Sequence, residues 1–485
     1  MASLAELFSC NSLRRGEYHL LQPALRPPPR TYRRFVFRLC YYLLILLGII
    51  TILLCFTAAA YPSYTHPPTH YSSLRRQVSK SEQSGRGNIR NEKVFIAASL
   101  HDPTGELARG AWGTGILQLI ILLGEENVFV SIYENEIEDK DKSGLPRSTS
   151  KQSSDARLAL EHLSARIPYN KSIVYERLDL DQLPTVVIPA TGEKRVKRIT
   201  YLAETRNRAL RPLDSSSDSD SDNDEMRSTT PTRFDKLLFL NDVAFDPIDA
   251  LQLLFSTNAD SNGIAQYRAA CAVDFINLFK FYDTYATRDQ EGYSMGLPFF
   301  PWFSTAGSGQ SRQAVLAGSD SVPVRSCWGG MVAFDARYFQ NGSSNSLVAA
   351  TEGEEAAAAG DLPARFRALT DPDYRWDASE CCLIHADIQR PPINDEAGDT
   401  GVYMNPFVRV AYDTTTLSWL STTRRVERLY SGVQRIGNYL VGLPWYNPRR
   451  EDQVGGFDGF CGRRGRGLQV VVPRRERGKG WKTIP

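Results

Sequence analysis

Two patterns of apolar residues alternate through the middle of the chain. Nearly continuous apolar runs predict buried strands at 93–100, 127–135, 172–177, 236–240 and 268–275. Apolar residues at helical spacing predict helices at 112–124, 153–165, 198–213 and 247–256. Strands that alternate with helices favour an α/β fold with a mostly parallel sheet and flanking helices. Such folds bind ligands at the carboxyl ends of the strands, so polar residues that follow a strand are the first candidates for chemistry.

The most apolar segment lies near the N-terminus. Residues 39–60 contain no charged residue. About 22 helical residues, at roughly 1.5 Å each, can cross a bilayer core of roughly 30 Å. A buried helix of this length would show a polar face, and a signal peptide has a shorter apolar region closer to the N-terminus. We therefore expect a single transmembrane anchor at 39–60.

Charge asymmetry around this segment predicts its orientation. Five arginines lie within residues 26–38, whereas residues 61–80 carry three basic residues, Arg75, Arg76 and Lys80. The positive-inside rule places residues 1–38 in the cytosol as a tail and the bulk of the chain across the membrane. This is the layout of a type II, single-pass protein of the secretory pathway. The Golgi membrane, with a lumenal catalytic domain, is the location expected by analogy.

Four segments differ in composition from the predicted elements. Residues 61–92 are rich in Pro, Ser, Thr, Arg and His, which predicts a flexible stem. Residues 214–232 and 341–362 are low-complexity insertions that we expect to be disordered. The acidic serines of the first insertion are either a solvated loop or a phosphorylation tract. Residues 414–485 form a C-terminal extension whose basic tail is either solvated or in contact with acidic partners.

Composition sets limits on the class of protein. The chain has 485 residues, 42% of them hydrophobic, so we expect one large domain at 93–413 with a sizeable core. The formal net charge of +2 gives no sign of a nucleic-acid partner, and none is expected. Five cysteines follow the anchor, so at least one is free or paired between chains. The sequons that begin at Asn170 and Asn341 can carry glycans in a lumen.

The stretch RFDKLLFLNDVAFDP at 233–247 carries the first candidate chemistry. Asp242 follows a strand that we expect to be covered on both faces. A carboxylate there can hold Mg²⁺ or Mn²⁺, which are hard cations that prefer oxygen ligands and commonly bind phosphate as well. The alternative for Asp242 is a role in a turn or a helix cap. We assign capping to Asp246, which precedes Pro247, and chemistry to Asp242.

Eight motifs, in this order along the chain, resemble one known family. They are KVFIAASL, NVFVSIYEN, RITYLAETRNRAL, FDKLLFLNDVAF, AACAVDF, FYDTYATRD, SCWGGMVAFDA and SECCLIHAD. Over residues 93–413 the chain resembles the fungal cryptococcal mannosyltransferase family, α-1,3-mannosyltransferases related to capsule and cell-wall polysaccharide assembly. The resemblance implies a GT-A-like glycosyltransferase with GDP-mannose as donor, Mn²⁺ or Mg²⁺ as cofactor and a mannose-containing glycan as acceptor.

The resemblance gives the stretch that follows the predicted strand 236–240 a more specific role. Asn241-Asp242-Val243 stands where GT-A-like folds carry an Asp-x-Asp motif, but the first position is Asn. Asp242 is therefore expected to bind the metal, and Asn241 either contributes its amide to the donor site or only orients its neighbour. His385 is expected to be a further metal ligand, and the alternative is a structural histidine.

Further donor-side residues follow from the same resemblance. Arg206 is expected to clamp the diphosphate, with Asn207 beside it, and the alternative is a surface arginine in a helical ion pair. Ser99 and Glu134 lie near the ends of the first two strands, where a nucleotide would rest. Glu134 either binds a ribose hydroxyl or caps a local turn. Asp274 closes its strand and is expected to face the sugar.

Acceptor-side expectations rest on aromatic and acidic residues. The residues expected to bind the acceptor are Trp328, Gly329, Asp283, Glu380 and Asp387. Trp328 and Gly329 offer an aromatic face and a permissive backbone on which a sugar ring can pack. Asp387 and Glu380 are alternatively expected to orient His385. A disulfide of Cys327 with Cys381 or Cys382 is also expected.

Three functions stay open at this point. The first is retaining transfer of mannose, in which either Asp274 acts as nucleophile or the acceptor attacks on the face of the leaving group. The second keeps the fold but uses another nucleotide-linked sugar. The third is a non-catalytic polysaccharide-binding or export-assisting membrane protein. A change at Asp242 would separate these functions, because a binding protein should keep its phenotype and an enzyme should lose it.

Overall fold

The computed structural model of the protein describes most of the chain. The described residues are 30–135, 151–167, 170–188, 191–214, 233–340, 363–371, 373, 375–389, 400–447, 460–465, 468–471 and 481–484. The predicted insertions lie outside these ranges, except for Asp214. So do Asn341, residues 1–29 of the predicted tail, and much of the basic C-terminal region.

The chain divides into two units, of which the first ends at Phe56 and the second begins at Thr57. Helix α1, Arg30–Ala60, contains the predicted anchor. Its segment Arg34–Ala60 is long and apolar enough to cross a membrane. This finding is consistent with a single-pass membrane anchor.

Ten further α-helices lie in the described ranges. They are α2 Thr69–Lys80, α3 Glu106–Arg109, α4 Ala111–Leu123, α5 Lys151–Arg166, α6 Arg198–Leu210, α7 Pro247–Ser256, α8 Gln310–Ala317, α9 Glu380–Ile388, α10 Thr414–Thr423 and α11 Tyr430–Val441. Each of the four predicted helices is present, with ends that differ by a few residues from the expectation.

Fifteen strands are described. They are β1 Val94–Leu100, β2 Val128–Asn135, β3 Lys171–Glu176, β4 Thr185–Val187, β5 Lys194–Val196, β6 Lys236–Leu240, β7 Ala269–Phe275, β8 Arg288–Asp289, β9 Val322–Ser326, β10 Met331–Asp335, β11 Trp376–Asp377, β12 Val402–Ala411, β13 Arg463–Arg464, β14 Leu468–Val471 and β15 Trp481–Ile484. All five predicted strands are among them.

Nine strands form the central sheet in the order β3-β2-β1-β6-β10-β7-β12-β9-β8. Strands β3, β2, β1 and β6 pair in parallel, and so do β7 and β12. Strand β10 runs antiparallel to both of its neighbours, β6 and β7, and β9 runs antiparallel to β12 and β8. Seven strands therefore point one way and two point the other, which confirms the predicted α/β class with a mostly parallel sheet.

Both faces of the sheet are covered. On β1, Phe95 and Ala97 pack in one apolar cluster while Val94 and Ile96 pack in the other. This alternation follows from the period of two along a strand. Helices α4, α5 and α7 contribute to the second cluster, and α6 and α9 contribute to the first. Burial on both faces explains why KLLFL, the whole of β6, is apolar apart from its first residue.

The segment predicted to be a flexible stem, 61–92, instead forms part of the second unit. Helix α2 buries Tyr71, Leu74 and Val78, and the last two join the cluster that α7 also enters. These apolar residues have helical spacing within a Ser-rich and Arg-rich segment, so composition concealed them. The second unit also continues past the predicted boundary at 413, because it includes α10 and α11.

The predicted disulfide is wrong in its partners. Cys327 bonds Cys271 of β7, and Cys382 bonds Cys461. Cys381 stays a buried free thiol, so one of the five cysteines that follow α1 is left over, as the odd count predicted. Neighbouring residues on a helix point about 100° apart, which explains why Cys382 reaches Cys461 while Cys381 faces elsewhere.

Candidate active site

The carboxyl ends of β6 and β7 meet the loop at 327–330, and polar side chains gather there. The first of them is Asn241, which three groups hold in place. Its N–H donates to the Gly330 carbonyl at 2.9 Å, and its carbonyl accepts from Trp112 Nε1 at 2.9 Å. Its Oδ1 accepts from Trp328 Nε1 at 3.2 Å. Asn241 is thus fixed from both backbone and side chain.

Asp242 is exposed at this edge of the sheet. The next turn returns to the sheet, because Ala244 donates its N–H to the Ala411 carbonyl at 2.7 Å. Asp246 accepts from Ile248 N at 2.8 Å and Pro247 begins α7, which confirms the predicted helix cap. Of the two acids, therefore, Asp246 caps helix α7, while Asp242 faces solvent.

Arg206 and Glu380 form a buried ion pair beside Asn241. They lie on α6 and at the start of α9, and their side chains are 10% and 3% exposed. The guanidinium carbon of Arg206 lies 5.0 Å from the centroid of the Trp328 ring and 5.8 Å from that of Phe366. Arg206 Nε is buried and has no hydrogen-bond partner among the described residues. The predicted surface alternative for Arg206 is therefore wrong.

Asp274 and Asp283 form an acidic pair with Tyr412. Asp274 is fully buried, its Oδ1 accepts from Asp283 N at 3.1 Å, and its Oδ2 accepts from Tyr412 O–H at 3.2 Å. Burial, followed by the charge of Asp283, raises the pKa of Asp274 to about 8. Burial also raises the pKa of Asp283 to about 6. Desolvation and mutual repulsion thus disfavour a charge on both carboxyl groups at once.

Glu134, at the end of β2, is also buried at this edge. Its Oε1 accepts from Asp102 N at 2.8 Å, while its Oε2 has no partner among the described residues. Burial raises the pKa of Glu134 to about 8, with smaller contributions from the charges of Asp102 and Asp242. The Asp102 carboxylate itself accepts from Leu107 N at 2.9 Å. Glu134 thus has an unused oxygen whose electrostatic neighbours include Asp242.

Gly329 is required by packing. Its φ is 59°, and a Cβ built there would lie 1.9 Å from the Ala272 carbonyl oxygen, so a larger residue cannot fit against β7. Its N–H bonds the Asp283 carboxylate. Gly329 therefore serves to hold the loop against β7, and these contacts do not support the predicted packing of a sugar ring on it.

Several predicted acceptor and donor residues have other partners. Trp328 is 2% exposed and lies under Arg206, so it offers no free face to a sugar. Asn207 exchanges two hydrogen bonds with the Phe366 backbone, at 2.7 and 2.8 Å. Asp387 holds Arg367 through both of its oxygens, at 2.8 and 2.9 Å. Ser99 is half-buried beside Tyr133 on β2, and none of its described contacts joins it to the residues at the sheet edge.

His385 does not join Asp242. It is fully buried, its Nδ1 bonds the Cys381 carbonyl at 2.7 Å, and its Nε2 faces Cys271 Sγ at 3.9 Å. Burial lowers its pKa to about 4. Cys271, Cys327 and His385 lie within metal-binding distance of one another, but the two sulfurs form a disulfide and offer no thiolate. The structural alternative for His385 is the one that these contacts support.

Three site residues were missed by the sequence analysis. Tyr412 follows β12 as Asp242 follows β6, so the rule that polar residues after strands matter would have found it. Trp112 and Phe366 had no local signal, because their roles depend on contacts with Asn241 and Arg206 that are remote in sequence.

The arrangement combines an exposed carboxylate, a buried cation with unused hydrogen-bonding capacity and a buried acid pair at one edge of the sheet. Oxygen donors at Asp242 and Glu134 fit a hard divalent cation. Arg206 has the donor geometry that suits a phosphate group. These are the parts that a site for a nucleotide-linked substrate requires.

Comparison with known proteins gives one family. No curated protein sequence matches the chain. The family described as Cryptococcal mannosyltransferase 1 matches residues 93–387, which include β1 to β11 and most of α9. The match covers more than half of the 485 residues and contains Asn241, Asp242, Arg206 and Glu380. The chain therefore belongs to the cryptococcal mannosyltransferase 1 family.

Proposed function

We propose that the protein is a hexosyltransferase that moves mannose from GDP-mannose to a hydroxyl of a mannose-containing glycan, with an α-1,3 linkage. Family membership supports mannosyl transfer. The observation that carries the proposal is the placement of Asp242 and Glu134 at the carboxyl ends of β6 and β2 in a mostly parallel sheet, with Arg206 over Trp328, which bonds Asn241.

On the donor side, Arg206 binds the diphosphate. Its pairing with Glu380 and its position over Trp328 fix the guanidinium before the donor arrives, while its Nε keeps an unused donor. A preorganised cation stabilises the negative charge of the leaving diphosphate without reorganisation during the reaction. Glu134 binds in the same region, through a ribose hydroxyl or through the metal, because its Oε2 is buried without a partner among the described residues.

Asp242 is the principal metal ligand in this proposal. Bound Mn²⁺ or Mg²⁺ would supply charge neutralisation at the diphosphate. Asn241 contributes by orientation, since its side-chain oxygen is already bonded to Trp328. A single carboxylate together with phosphate oxygens is a common ligand set for these ions.

The acceptor hydroxyl attacks on the same face as the departing diphosphate, so the α configuration is retained. This choice is supported by the state of Asp274, which is fully buried and has both oxygens hydrogen-bonded. A protonated carboxyl in that state is a poor nucleophile. Asp274 instead positions Tyr412 and Asp283, and this proposal assigns the acceptor hydroxyl to Asp283, which is only half-buried.

We propose that the second unit lies in the lumen of the Golgi or another secretory compartment. Its two disulfides, Cys271–Cys327 and Cys382–Cys461, support an oxidising environment. The exposed Asn170, which begins a sequon, is then open to glycosylation.

A matched pair of variants tests the function. The full chain in nanodiscs is mixed with GDP-mannose, Mn²⁺ and α-mannobiose, and GDP release and product mass are followed. Asp242→Asn should abolish transfer, whereas Asp246→Asn should keep it, because Asn caps a helix as well as Asp does. The two changes remove the same charge four residues apart.

Other outcomes select the alternatives. Transfer from a different nucleotide sugar, still lost in Asp242→Asn, would change the donor and keep the site. Binding of the glycan with no hydrolysis or transfer from any common donor would favour the polysaccharide-binding or export-assisting protein. Equal transfer by the two variants would show that Asp242 has no role in the reaction.

A further inference from the structure

Helix α11 presents its apolar side outward. Gln434 and Asn438 are its buried residues. The five large apolar side chains of the helix are between 60% and 86% exposed, and they are Val433, Ile436, Tyr439, Leu440 and Val441. A helix on the surface of a soluble domain normally shows the reverse arrangement. We call these five residues the outer face of α11.

The polar inner side holds the helix in this orientation. Gln434 Nε2 donates to the Trp302 carbonyl at 3.1 Å, and its Oε1 accepts from Arg312 Nη1 at 2.6 Å. Asn438 Oδ1 accepts from Leu297 N at 2.6 Å. Rotation of the helix to bury the outer face would leave these buried groups unpaired, which is unfavourable. The outer face therefore stays outward.

The covalent path from the apolar segment ends beside this helix. Helix α1 ends at Ala60, and Ser63 already belongs to the second unit, where it is buried. Ser63 donates through N and Oγ to the Arg424 carbonyl, at 3.2 and 2.8 Å, and its Oγ also bonds Glu427. Three residues span at most about 11 Å, so the end of α1 is tethered close to Arg424.

From that point the chain leads directly into α11. A 3-10 turn at Glu427–Leu429 joins the Ser63 contact to Tyr430, the first residue of α11. Trp419 of α10 is 52% exposed, and Arg425 and Arg435 are exposed as well. Aromatic and basic residues around an apolar helix face are typical of the membrane interface.

We propose that α11 lies in the interface of the bilayer that α1 spans, with its outer face among the headgroups and the upper acyl chains. The proposal rests on the assignment of Arg34–Ala60 as a membrane anchor. All five outer-face side chains are uncharged, and the four aliphatic ones offer no hydrogen bond to a sugar. The short tether keeps this surface at a high effective concentration near the bilayer.

Docking of α11 would also fix the catalytic edge relative to the membrane. The Tyr430 ring lies 5.4 Å from that of Phe279, in the loop that follows β7. The same loop leads to Tyr282, whose ring is 4.6 Å from that of Tyr412. A rigid contact at the bilayer would therefore be connected to the site through two aromatic pairs.

Photolabelling from the lipid tests the proposal. The full chain is placed in nanodiscs with one copy of the protein in each disc. The discs contain a phospholipid with a diazirine in its acyl chain. After irradiation, the adducts are mapped by mass spectrometry. We expect adducts on residues 433–441 as well as on the α1 segment. Adducts on α1 alone would overturn the docking and keep the anchor. No adduct on α1 would overturn the anchor, and the docking with it, without bearing on transferase activity measured in detergent.

A matched pair of double variants sharpens the test. Ile436→Asp with Leu440→Asp should lower labelling of 433–441 at least tenfold, since a charged carboxylate opposes burial of these two side chains among acyl chains. Leu158→Asp with Val187→Asp, at comparably exposed positions on α5 and β4, should leave it unchanged. All four residues are already exposed, so the fold should tolerate the changes. Cross-links between α11 helices of two copies in detergent, without lipid adducts in nanodiscs, would replace the bilayer with a second copy.

Discussion

Two buried arginine–glutamate pairs in this protein have the same chemistry and different surroundings. Arg409 bonds Glu427 through two nitrogens at 2.8 and 2.7 Å, and its Nε donates to the Pro406 carbonyl at 3.1 Å. Arg206 bonds Glu380 through one nitrogen, and its Nε has no partner among the described residues. Each guanidinium nitrogen of Arg409 has a partner, whereas Arg206 keeps one nitrogen for a further hydrogen bond.

The difference favours a structural role for the first pair and is the reason that we propose a binding role for the second. Glu427 of the first pair also accepts a hydrogen bond from Ser63 Oγ. This pair therefore joins β12 to the segment that follows α1. The Arg206–Glu380 pair lies next to the exposed Asp242 edge, over Trp328. Burial of an ion pair is weak evidence for stability by itself, but an unsatisfied buried donor near an exposed carboxylate is a reason to expect a ligand.

The largest expected effect is on stability. Glu427→Ala leaves Arg409 buried without its partner and should lower the free energy of unfolding by about 3–5 kcal/mol. Glu161→Ala, which breaks the exposed Arg157–Glu161 pair, should cost no more than about 1 kcal/mol. Denaturant unfolding of the full chain in detergent measures both. Equal costs would mean that the Arg409 pair is not structural.

The second pair should affect transfer. Glu380→Gln keeps the shape and removes the charge that holds Arg206, so transfer should fall about 10- to 100-fold, the equivalent of a charged hydrogen bond. The control uses Arg208, which lies on α6 with Arg206 and pairs with Glu176 at the end of β3. Glu176→Gln removes that charge at a partly exposed position and should leave transfer near its original rate. The assay uses equal amounts of folded protein. A normal rate in Glu380→Gln would contradict the binding role of the pair.

Asp274 should make stability depend on pH. Its folded pKa, about 8, exceeds the ordinary value near 4, so folding takes up a proton between roughly pH 4 and pH 8. The neutral carboxyl stabilises the fold fully below about pH 4, and this contribution is lost as the pH rises through 8. Asp274→Asn should therefore gain at least about 1.4 kcal/mol over the native chain between pH 5 and pH 8. Parallel stability profiles for the two proteins would contradict the raised pKa.

The smallest expected effect concerns Asn241. Trp328→Phe keeps a ring under Arg206 and removes the indole N–H that bonds Asn241, so transfer should fall about fivefold, for about 1 kcal/mol. Trp302→Phe is the control, because the Trp302 indole N–H is buried with no partner among the described residues. Both changes remove part of a buried ring, so a similar loss of transfer would trace the effect to packing.

Prediction from the sequence was most accurate where the pattern of apolar residues along a strand or helix is strong. Continuous apolar runs gave β1, β2, β6 and β7 because both faces of this sheet are buried, and the same logic located Asp242. It failed for His385, since residue type alone does not reveal that a disulfide fills its surroundings. It failed for the predicted stem because three apolar residues suffice to attach α2.

The partners of the candidate donor-side and acceptor-side residues were harder to predict from the sequence than the strands. Asn207 adjoins Arg206 in sequence, but it faces the Phe366 backbone because neighbouring helical residues point in different directions. Glu380 pairs with Arg206 across 174 residues, a contact without any local pattern. Side chains at the ends of strands could thus be predicted, whereas partners that come from helices and loops could not.

The most direct test compares lysine at the two arginines. Lysine keeps the charge and loses the planar fork of donors. We predict that Arg206→Lys keeps its unfolding midpoint and loses at least about tenfold in GDP-mannose-dependent transfer, while Arg409→Lys loses stability and keeps its transfer rate per folded molecule. Normal transfer by Arg206→Lys, with a lowered unfolding midpoint, would show that Arg206 serves the fold and would contradict its role as the donor-binding residue.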